Sequence, residues 1–570
     1  AENGGGLYLV GVGADSAQPF DISVAIENNI AKTGGALFVG KDTIKLKYVQ
    51  IAYNDASQYG GGIYVNESAT LELTNGIIGH SDKLKNEEYD SFAIAGTMKV
   101  TSPIRKIEYN AYGTREGGTE YYYINSFRKA YNSAGVEGGG VYVAAGGTFN
   151  LKGGVVNFNF APKGGGIANH GTVNIESVNG KAEYTVPEGS NAQTDTFAKA
   201  ILFRNNAASD KGGAIYTEHS ADTEATEGKL TIKSGEGVEN STYDGTTGTG
   251  VIFVSNKAND MGGAIYVASG KADIYAGLFG RRFDETVAVN SANNMGGAIG
   301  VGGGSVVIGI NSSSNINFND NYSVNGGALA VTGGTVEIKD STKVTFQQNE
   351  ARGGNGGAIY VSGGTVKIQA NFTNNKAQNG GAVATAGGET EFGAGTMKEH
   401  QYTYQNNVIE KGGAVYVGGG TFRLTGGSIG KTTDSSTNTE IEPAADAKNF
   451  SNKAVNGGGV YVNAGGEFTM QAASSTISYN YAATTDDKHL GNGGGVYVNG
   501  GKFNLLGGTI KYNGANAGGG GLYVNGGTAN DNGTQNYSIL GNNAAQGGGV
   551  YLNGSVKWEF AGHDSSHAIA

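Results

Sequence analysis

The sequence predicts an all-β protein, a single right-handed parallel β-helix, or solenoid, of about sixteen or more coils with loop insertions. Three observations predict this fold: a glycine motif that recurs sixteen times, an asparagine motif in register with it, and alternating apolar and polar residues after each glycine motif. Such recurrence is typical of solenoids, in which each unit buries its apolar face only against its neighbours.

The glycine motif is Gly-Gly-[Ala/Gly]-[Ile/Val/Leu], usually followed by an aromatic and a β-branched residue. Its commonest step is roughly 24 to 36 residues, shorter than the roughly 40 to 50 residues of a four-stranded propeller blade. This step therefore favours the coils of a β-helix. The apolar residue that closes the motif lies at Leu7, Leu37, Ile63, Val141, Ile167, Ile215, Ile265, Ile299, Leu329, Ile359, Val383, Val415, Val460, Val496, Leu522 and Val550.

The asparagine motif, [Ile/Val/Phe]-x-x-Asn-x-Ala, ends a few residues before each glycine pair. Some copies are degenerate, such as Asn407 with Ile409, but we expect an Asn in every complete unit. Stacked Asn side chains can hydrogen-bond from rung to rung, so we predict an inward structural ladder rather than an exposed glycan-binding row. The predicted ladder includes Asn206, Asn256, Asn349, Asn375, Asn480 and Asn513.

The third element follows the glycine motif after a second small turn, as in Gly363-Gly364-Thr365-Val366-Lys367-Ile368. Its strict alternation of apolar and polar residues indicates a half-buried strand. One repeat is therefore predicted to hold three short strands separated by turns. We infer the right hand from the general rule for parallel crossovers.

Tyrosine is the commonest residue between the two inward apolar residues of the glycine-motif strand, so it should point outward and form a stripe. The stripe is broken at Ala168, Gly300, Ala330 and Ala384. Exposed aromatic rings could stack on sugars or anchor a protein. Alternatively, the rings only pack on one another across coils. The candidate stripe comprises Tyr142, Tyr216, Tyr266, Tyr360, Tyr416, Tyr461, Tyr497 and Tyr523.

We expect residues 1–570 to form one continuous β-helix that is part of a longer surface protein, with its ends capped by the rest of that protein or by another subunit. Insertions are predicted near 80–130, 218–250 and 431–448, where a solenoid acquires specificity. Within the first insertion, Ile107 and Asn110 resemble a worn repeat, so part of it is expected to be an ordinary coil.

Composition limits the function. The chain has 570 residues, 102 Gly, no Cys and a net charge of -11, which argues against disulfides, thiol catalysis and nucleic-acid binding. No run of 18 apolar residues occurs, so we expect no helix that spans a membrane.

Paired Gly-Gly-Ala-Ile and Phe-x-x-Asn repeats occur at residues 212–215 with Phe203 and Asn206, and at residues 262–265 with Phe253 and Asn256. These repeats resemble the passenger domains of the chlamydial polymorphic membrane proteins, and the resemblance covers most of the chain. It implies an autotransporter-like adhesin, built on a right-handed β-helix, at the outer membrane or outside the cell.

We therefore expect a non-catalytic, surface-exposed or secreted rigid stalk and adhesin for host or bacterial glycans or proteins, with no cofactor and no metal. The alternative is a polysaccharide-degrading enzyme or a phage receptor-binding spike on the same scaffold. An enzyme of this kind needs carboxylates clustered on adjacent coils, whereas the acidic pairs here are scattered. The candidate groups in the sequence are Asp284 with Glu285, Asp486 with Asp487, and His563 with Asp564 and His567.

Overall fold

The computed structural model describes sixteen segments of the chain, which form two compact units. The first unit is Ala1–Ala292 with Ser313–Ile316, and the second is Asn293–Ser312 with Asn317–Ala570. No helix long and apolar enough to cross a membrane is found among the described residues. These residues are 1–10, 24–47, 49–79, 107–114, 120–127, 132–177, 200–219, 228–243, 248–283, 286–310, 314–400, 409–431, 451–483, 491–531, 536–559 and 568–569.

Each unit is built from parallel strands that repeat once per coil, which confirms the predicted β-helix fold. Its right hand and its continuity through the whole chain stay predictions. A coil contains four kinds of strand, in chain order. The tyrosine strand follows the glycine motif, the alternating strand comes next, the asparagine-leading strand precedes the ladder position, and a short strand follows it.

In the first unit, the tyrosine strands are Leu7–Leu9, Leu37–Val39, Ile63–Val65, Val141–Val143, Ile167–Asn169, Ile215–Thr217 and Ile265–Val267. The alternating strands are Asp42–Lys47, Ala69–Ile78, Thr148–Asn157, Thr172–Glu176, Lys229–Lys233 and Lys271–Ile274; the second and third of these continue through the asparagine-leading position. The other asparagine-leading strands are Ala25–Glu27, Gln50–Ala52, Ala200–Arg204, Gly248–Val254 and Gly277–Phe279. The short strands are Ile30–Thr33, Asn54–Tyr59, Asn132–Ala134, Asn159–Lys163, Ala207–Lys211, Lys257–Ala258 and Ser291–Ala292.

In the second unit, the tyrosine strands are Ile299–Val301, Leu329–Val331, Ile359–Val361, Val383–Thr385, Val415–Val417, Val460–Asn463, Val496–Asn499, Leu522–Asn530 and Val550–Glu559; the last two continue through the alternating position. The other alternating strands are Ser305–Ile308, Thr335–Lys339, Thr365–Gln369, Glu389–Ala394, Gly420–Leu424, Gly466–Met470 and Lys502–Leu505. The asparagine-leading strands are Ile316–Asn319, which begins in the first unit, and Val344–Gln347, Asn371–Thr373, Thr396–Lys398, Ser428–Gly430, Thr476–Ser478, Gly508–Lys511, Tyr537–Leu540 and Ala568–Ile569. The short strands are Tyr322–Ser323, Glu350–Ala351, Lys453–Ala454, Tyr481–Ala482, Gly514–Gly518 and Asn543–Gln546.

Successive coils keep an in-register alignment, because equivalent residues pair as Cα partners. In the first unit Val141 pairs with Ile63 on one side and with Ile167 on the other. In the second unit Val336 pairs with Val306 and with Val366 in the same way. Each apolar position therefore forms a column along its unit, and the inward columns of Ile, Val and Leu are buried.

Phenylalanine rings stack inside the coils where the asparagine-leading strands carry them. The rings of Phe203 and Phe253 have centroids 4.6 Å apart, and those of Phe346 and Phe372 are 5.0 Å apart. All four are fully buried. Aromatic pairs of this kind contribute about 0.5–1.5 kcal/mol each beyond the burial of their area, so the cores are ordered columns rather than mixed apolar interiors.

Where an asparagine-leading strand runs directly into the ladder position, the turn uses one residue with positive φ just before that position. That residue is seldom glycine: Asn205 has a φ of 54°, Gln348 of 56° and Tyr512 of 54°. Left-handed backbone costs roughly 1–2 kcal/mol in an L-residue, so the hydrogen bonds of the following ladder residue must hold the turn.

The prediction of a degenerate repeat in the first insertion is wrong. Ile107–Thr114 pairs antiparallel with Glu120–Phe127, so these residues form a hairpin instead of a coil. Because Ile63 pairs directly with Val141, one coil carries the whole insertion. A second antiparallel pair joins Arg281–Phe283 to Thr286–Ala288, and Thr242–Tyr243 pairs antiparallel with the strand Gly248–Val254.

The glycine motif is small because neighbouring coils approach it closely. A Cβ on Gly213 would lie 2.2 Å from the carbonyl oxygen of Gly263 and 2.4 Å from that of Lys257. We therefore expect Gly213→Ala to lower the free energy of unfolding by about 1–3 kcal/mol, through overpacking against backbone that cannot move aside.

The control is Gly237→Ala, because a Cβ on Gly237 would meet nothing within 4 Å and only its φ of 79° opposes the substitution. Urea unfolding followed by circular dichroism compares the two variants. Equal losses of stability would contradict the close approach of neighbouring coils as the reason for a glycine at position 213.

Candidate functional site

The tyrosine strands place their aromatic rings in a column, here called the tyrosine column. In the second unit the rings of Tyr461 and Tyr497 are 5.0 Å apart with planes at 14°, and those of Tyr497 and Tyr523 are 5.0 Å apart at 6°. Tyr416 and Tyr551 extend the stack, at 5.9 Å from Tyr461 and 5.0 Å from Tyr523. Five rings therefore stack on successive coils.

The column of the first unit has the same geometry in two pieces. Tyr64 and Tyr142 stack at 5.1 Å, and Tyr216 and Tyr266 stack at 5.7 Å. Ala168 occupies the column position between Tyr142 and Tyr216. The column is thus interrupted at one of the breaks that the sequence shows.

The rings are less exposed than predicted. Tyr216, Tyr266, Tyr461, Tyr497 and Tyr523 are all buried, because each ring covers the face of the next. Burial also raises the pKa of every tyrosine in the candidate stripe, to about 12 for Tyr461. These hydroxyls stay protonated at neutral pH. Among the described residues, a ring of the column is open to a sugar where the column ends, as at Tyr8, or where it is broken.

Tyr360 is such a ring. Its column neighbours in the register are Ala330 on one side and Ala384 on the other. Ala384 in turn pairs with Tyr416, which begins the five-ring stack. Tyr360 and Tyr416 are therefore two strand spacings apart, about 9.6 Å, which is the separation of two rings with one ring missing between them. We call this break the Ala384 gap.

A row of asparagines runs beside the column in the second unit. Asn525 Nδ2 donates to Asn499 Oδ1 at 3.0 Å, and Asn553 Nδ2 donates to Asn525 Oδ1 at 3.0 Å. Burial raises the pKa of Tyr461, Tyr497 and Tyr523, and the amides of Asn499, Asn525 and Asn553 respectively act against that rise. The column thus has a polar edge, which sequence reasoning missed because these residues lie outside both motifs.

The break at Ala168 is filled by a side chain from the same coil. The imidazole of His170 lies 5.3 Å from the ring of Tyr142 and 6.3 Å from that of Tyr216. His170 Nε2 contacts Glu137 Oε2 at 2.5 Å, and the Tyr216 hydroxyl donates to Glu218 Oε2 at 2.7 Å. The break therefore holds an imidazole and two carboxylates, which we call the Glu137–His170–Glu218 cluster.

Glu137 is the buried member of this cluster, with 9% of its side chain exposed. Burial alone would raise its pKa, but the hydrogen bond and charge of His170, together with Lys163 Nζ at 3.2 Å, lower it. Glu137 is therefore ionised at neutral pH. Nothing in the sequence motifs indicated this cluster, because its members are 33 and 48 residues apart in the chain.

The predicted ladder asparagines lie at the inward corner and hydrogen-bond from coil to coil. In the first unit, Asn206 Nδ2 donates to Asn256 Oδ1 at 3.0 Å and to the Val156 carbonyl of the preceding coil at 2.8 Å. Asn206 Oδ1 accepts from the backbone N and the Nδ2 of Asn159 at 3.2 and 2.9 Å. The side chain of Asn206 is fully buried.

In the second unit the same pattern joins Asn349 to Asn375 at 2.9 Å and Asn480 to Asn513 at 2.9 Å. The expectation of an Asn in every complete unit is wrong at one coil. There His400 takes the ladder position: its Nδ1 accepts from the backbone N of Asn375 at 3.1 Å, and its own backbone N donates to Asn452 Oδ1 at 3.2 Å. Asn407, which the motif predicted for this coil, lies outside the described residues.

His400 is fully buried, and its Nε2 has no hydrogen-bond partner among the described residues. Burial lowers its pKa to about 3. Since Nδ1 accepts a hydrogen bond, the neutral ring carries its proton on Nε2. Within the part of the chain that the structure describes, the His400 Nε2 donor therefore has no partner.

Several predicted features lie wholly or partly outside the described residues. These are residues 80–106, 115–119 and 128–131 of the first insertion, residues 220–227 and 244–247 of the second, and residues 432–450, which take in nearly all of the third. The acidic pairs Asp284 with Glu285 and Asp486 with Asp487, and the group of His563, Asp564 and His567, lie outside them too.

Residues 200–218 and 343–362 match the family model described as the Chlamydia polymorphic membrane protein repeat. Each matched stretch contains an asparagine-leading strand, its ladder asparagine and the glycine motif that follows. The resemblance to these repeats is therefore confirmed for two coils, one in each unit. No curated protein and no solved structure matches the chain.

Proposed function

We propose that this chain is a non-catalytic bacterial surface or secreted protein that serves as a rigid stalk and as an adhesin for glycans or proteins on host or neighbouring cells. The repeat type supports a location at the outer membrane or outside the cell, since the matching family is described as a membrane protein repeat. The coil-to-coil ladder supports the stalk, because each buried amide ties its coil to both neighbours.

The Ala384 gap is the observation that carries the adhesive part of the proposal. Tyr360 and Tyr416 face one another across about 9.6 Å, and a flat ring between them would lie near the 5.0 Å spacing of Tyr461 and Tyr497. Ala386 occupies the position equivalent to His170 in this coil, and it is exposed. A pyranose or an aromatic side chain of a partner therefore fits the chemistry of the gap.

The first prediction for this gap is that Ala384→Tyr abolishes ligand binding while the fold is retained. A tyrosine there would continue the column between Tyr360 and Tyr416, as Tyr497 does between its neighbours. Tyr360→Ala should weaken binding by about 10-fold or more, because stacking on a ring contributes on the order of 1–3 kcal/mol. Lys367→Ala, an exposed change on the alternating strand of the same coil, is the control.

The measurement is a screen of the purified chain and its variants against glycan and extracellular-matrix arrays, with the same wells assayed for released product. Binding that Ala384→Tyr removes and Lys367→Ala retains would support the adhesin. Cleavage of an arrayed polysaccharide would contradict the non-catalytic proposal and favour the enzyme alternative. Binding that survives both Ala384→Tyr and Tyr360→Ala would move the ligand site away from the gap.

A further inference from the structure

The Glu137–His170–Glu218 cluster draws its members from three consecutive coils. Glu137 directly precedes the glycine motif of one coil, and His170 and Glu218 each follow the tyrosine strand of the next two. The backbone fixes these positions: His170 N donates to the Val143 carbonyl and Glu218 N donates to the Asn169 carbonyl, each at 2.9 Å. The three side chains thus meet on a frame that cannot easily rearrange.

One ligand atom from each side chain lies within 4.8 Å of the others. A tetrahedral Zn²⁺ site with bonds of about 2.0–2.1 Å separates its ligand atoms by about 3.3 Å. The contact of 2.5 Å between His170 Nε2 and Glu137 Oε2 would have to open by less than 1 Å, and the wider separations would close by up to about 1.5 Å. Side-chain rotations alone supply such shifts.

The groups that hold the two carboxylates from outside the cluster also favour metal binding. Metal-bound carboxylates are usually held by a further hydrogen bond, which orients them. Here Lys163 Nζ lies 3.2 Å from Glu137 Oε1, and the Tyr216 hydroxyl donates to Glu218 Oε2. Each carboxylate therefore keeps a second oxygen for a cation. The rings of Tyr142 and Tyr216 enclose the imidazole from both sides.

Two carboxylates in one partly buried site require compensating positive charge. Lys163 supplies one charge, and it also lies 4.8 Å from the centroid of the Tyr216 ring. One imidazole nitrogen with two carboxylate oxygens is a donor set that Zn²⁺ accepts in sites with three protein ligands and one open position. From this geometry we propose that Glu137, His170 and Glu218 bind one Zn²⁺ ion, which ties three coils together at the break in the tyrosine column.

This inference does not rest on the proposed function, and it is tested by metal binding alone. The reference protein carries His563→Ala and His567→Ala, so that the C-terminal histidines cannot contribute a second site. Zn²⁺ binding to the chelator-treated full chain is measured by equilibrium dialysis with elemental analysis. Co²⁺ absorption spectra then report whether the bound metal is tetrahedral.

We expect one Zn²⁺ per chain in the reference protein. His170→Phe keeps a ring in the column but removes the nitrogen ligand, and it should weaken binding by about 10-fold or more. Glu218→Gln should do the same. Glu72→Gln removes a carboxylate that pairs with Lys152 elsewhere in the unit, and it should leave binding unchanged.

Circular dichroism in the presence of chelator checks that each variant is folded. If His170→Phe is not folded, the Zn²⁺ affinity of Glu218→Gln is the test of the proposal. The proposal is overturned if the reference protein binds no Zn²⁺ at micromolar free metal. It is equally overturned if the folded ligand variants bind Zn²⁺ as tightly as the reference.

Discussion

Replacing Asn206 with Ala is expected to lower the free energy of unfolding by about 4 kcal/mol, since four hydrogen bonds of a fully buried amide are lost at about 1 kcal/mol or more each. The change removes the acceptor of Asn159 N and Nδ2 and the donor to Val156 O and Asn256 Oδ1. It also releases the turn at Asn205, whose φ is 54°. Urea unfolding followed by circular dichroism measures the loss.

Asn174→Ala is the matched control, because it makes the same substitution in the same unit on the outward face. Asn174 Nδ2 donates to Asn150 Oδ1 of the preceding coil at 2.8 Å, and the side chain of Asn174 is half-buried. We expect it to cost less than about 1 kcal/mol. Similar losses for the two variants would mean that the ladder contributes no more than a surface amide pair.

His400→Asn is expected to make the protein less sensitive to acid. In the folded chain burial lowers the pKa of His400 to about 3 from an ordinary value of 6.5. Between these two values the unfolded chain binds a proton that the folded chain does not, so stability falls as the pH falls from about 6.5 towards 3. The loss from this one group over that range is on the order of 5 kcal/mol.

An asparagine at position 400 has no such titration, and its Nδ2 would supply the donor to the Phe372 carbonyl that the pattern of the other coils requires. The measurement is the free energy of unfolding at pH 7 and pH 4 for both proteins. Because many carboxylates also titrate in this range, the test is the difference between the two pH dependences. His219→Asn is the control, since His219 is half-buried and outside the ladder. Parallel pH dependences for wild type and His400→Asn would contradict the assigned burial.

The coil and its period could be predicted from the sequence, because glycines, asparagines and alternating apolar residues recur where the backbone repeats. It was insufficient where a different residue type fills the same backbone position. His400 follows Glu399, whose φ of 62° is typical of the residue before a ladder position. Residues of many types occupy that position, so this φ cannot be predicted from the sequence. The amide pattern therefore pointed to Asn407 instead.

The Glu137–His170–Glu218 cluster shows the other limit. The loss of a tyrosine at Ala168 is visible in the sequence, but the side chain that fills the space lies two residues later and its partners lie on the coils before and after. Only the register of Val141, Ile167 and Ile215 brings them together. Similarly, the stacking that covers the tyrosine faces depends on the strand spacing, which no single repeat encodes.

The hydrogen bonds between ladder side chains run in one direction along each unit. Ladder amides such as Asn206 and Asn256 donate one proton to the Asn Oδ1 of the coil that follows and the other to a carbonyl of the coil that precedes. A coil is consequently complete only when it is flanked on both sides. We therefore expect a folded coil to serve as the template on which the next coil forms, and the loss of one ladder residue to weaken both neighbouring coils.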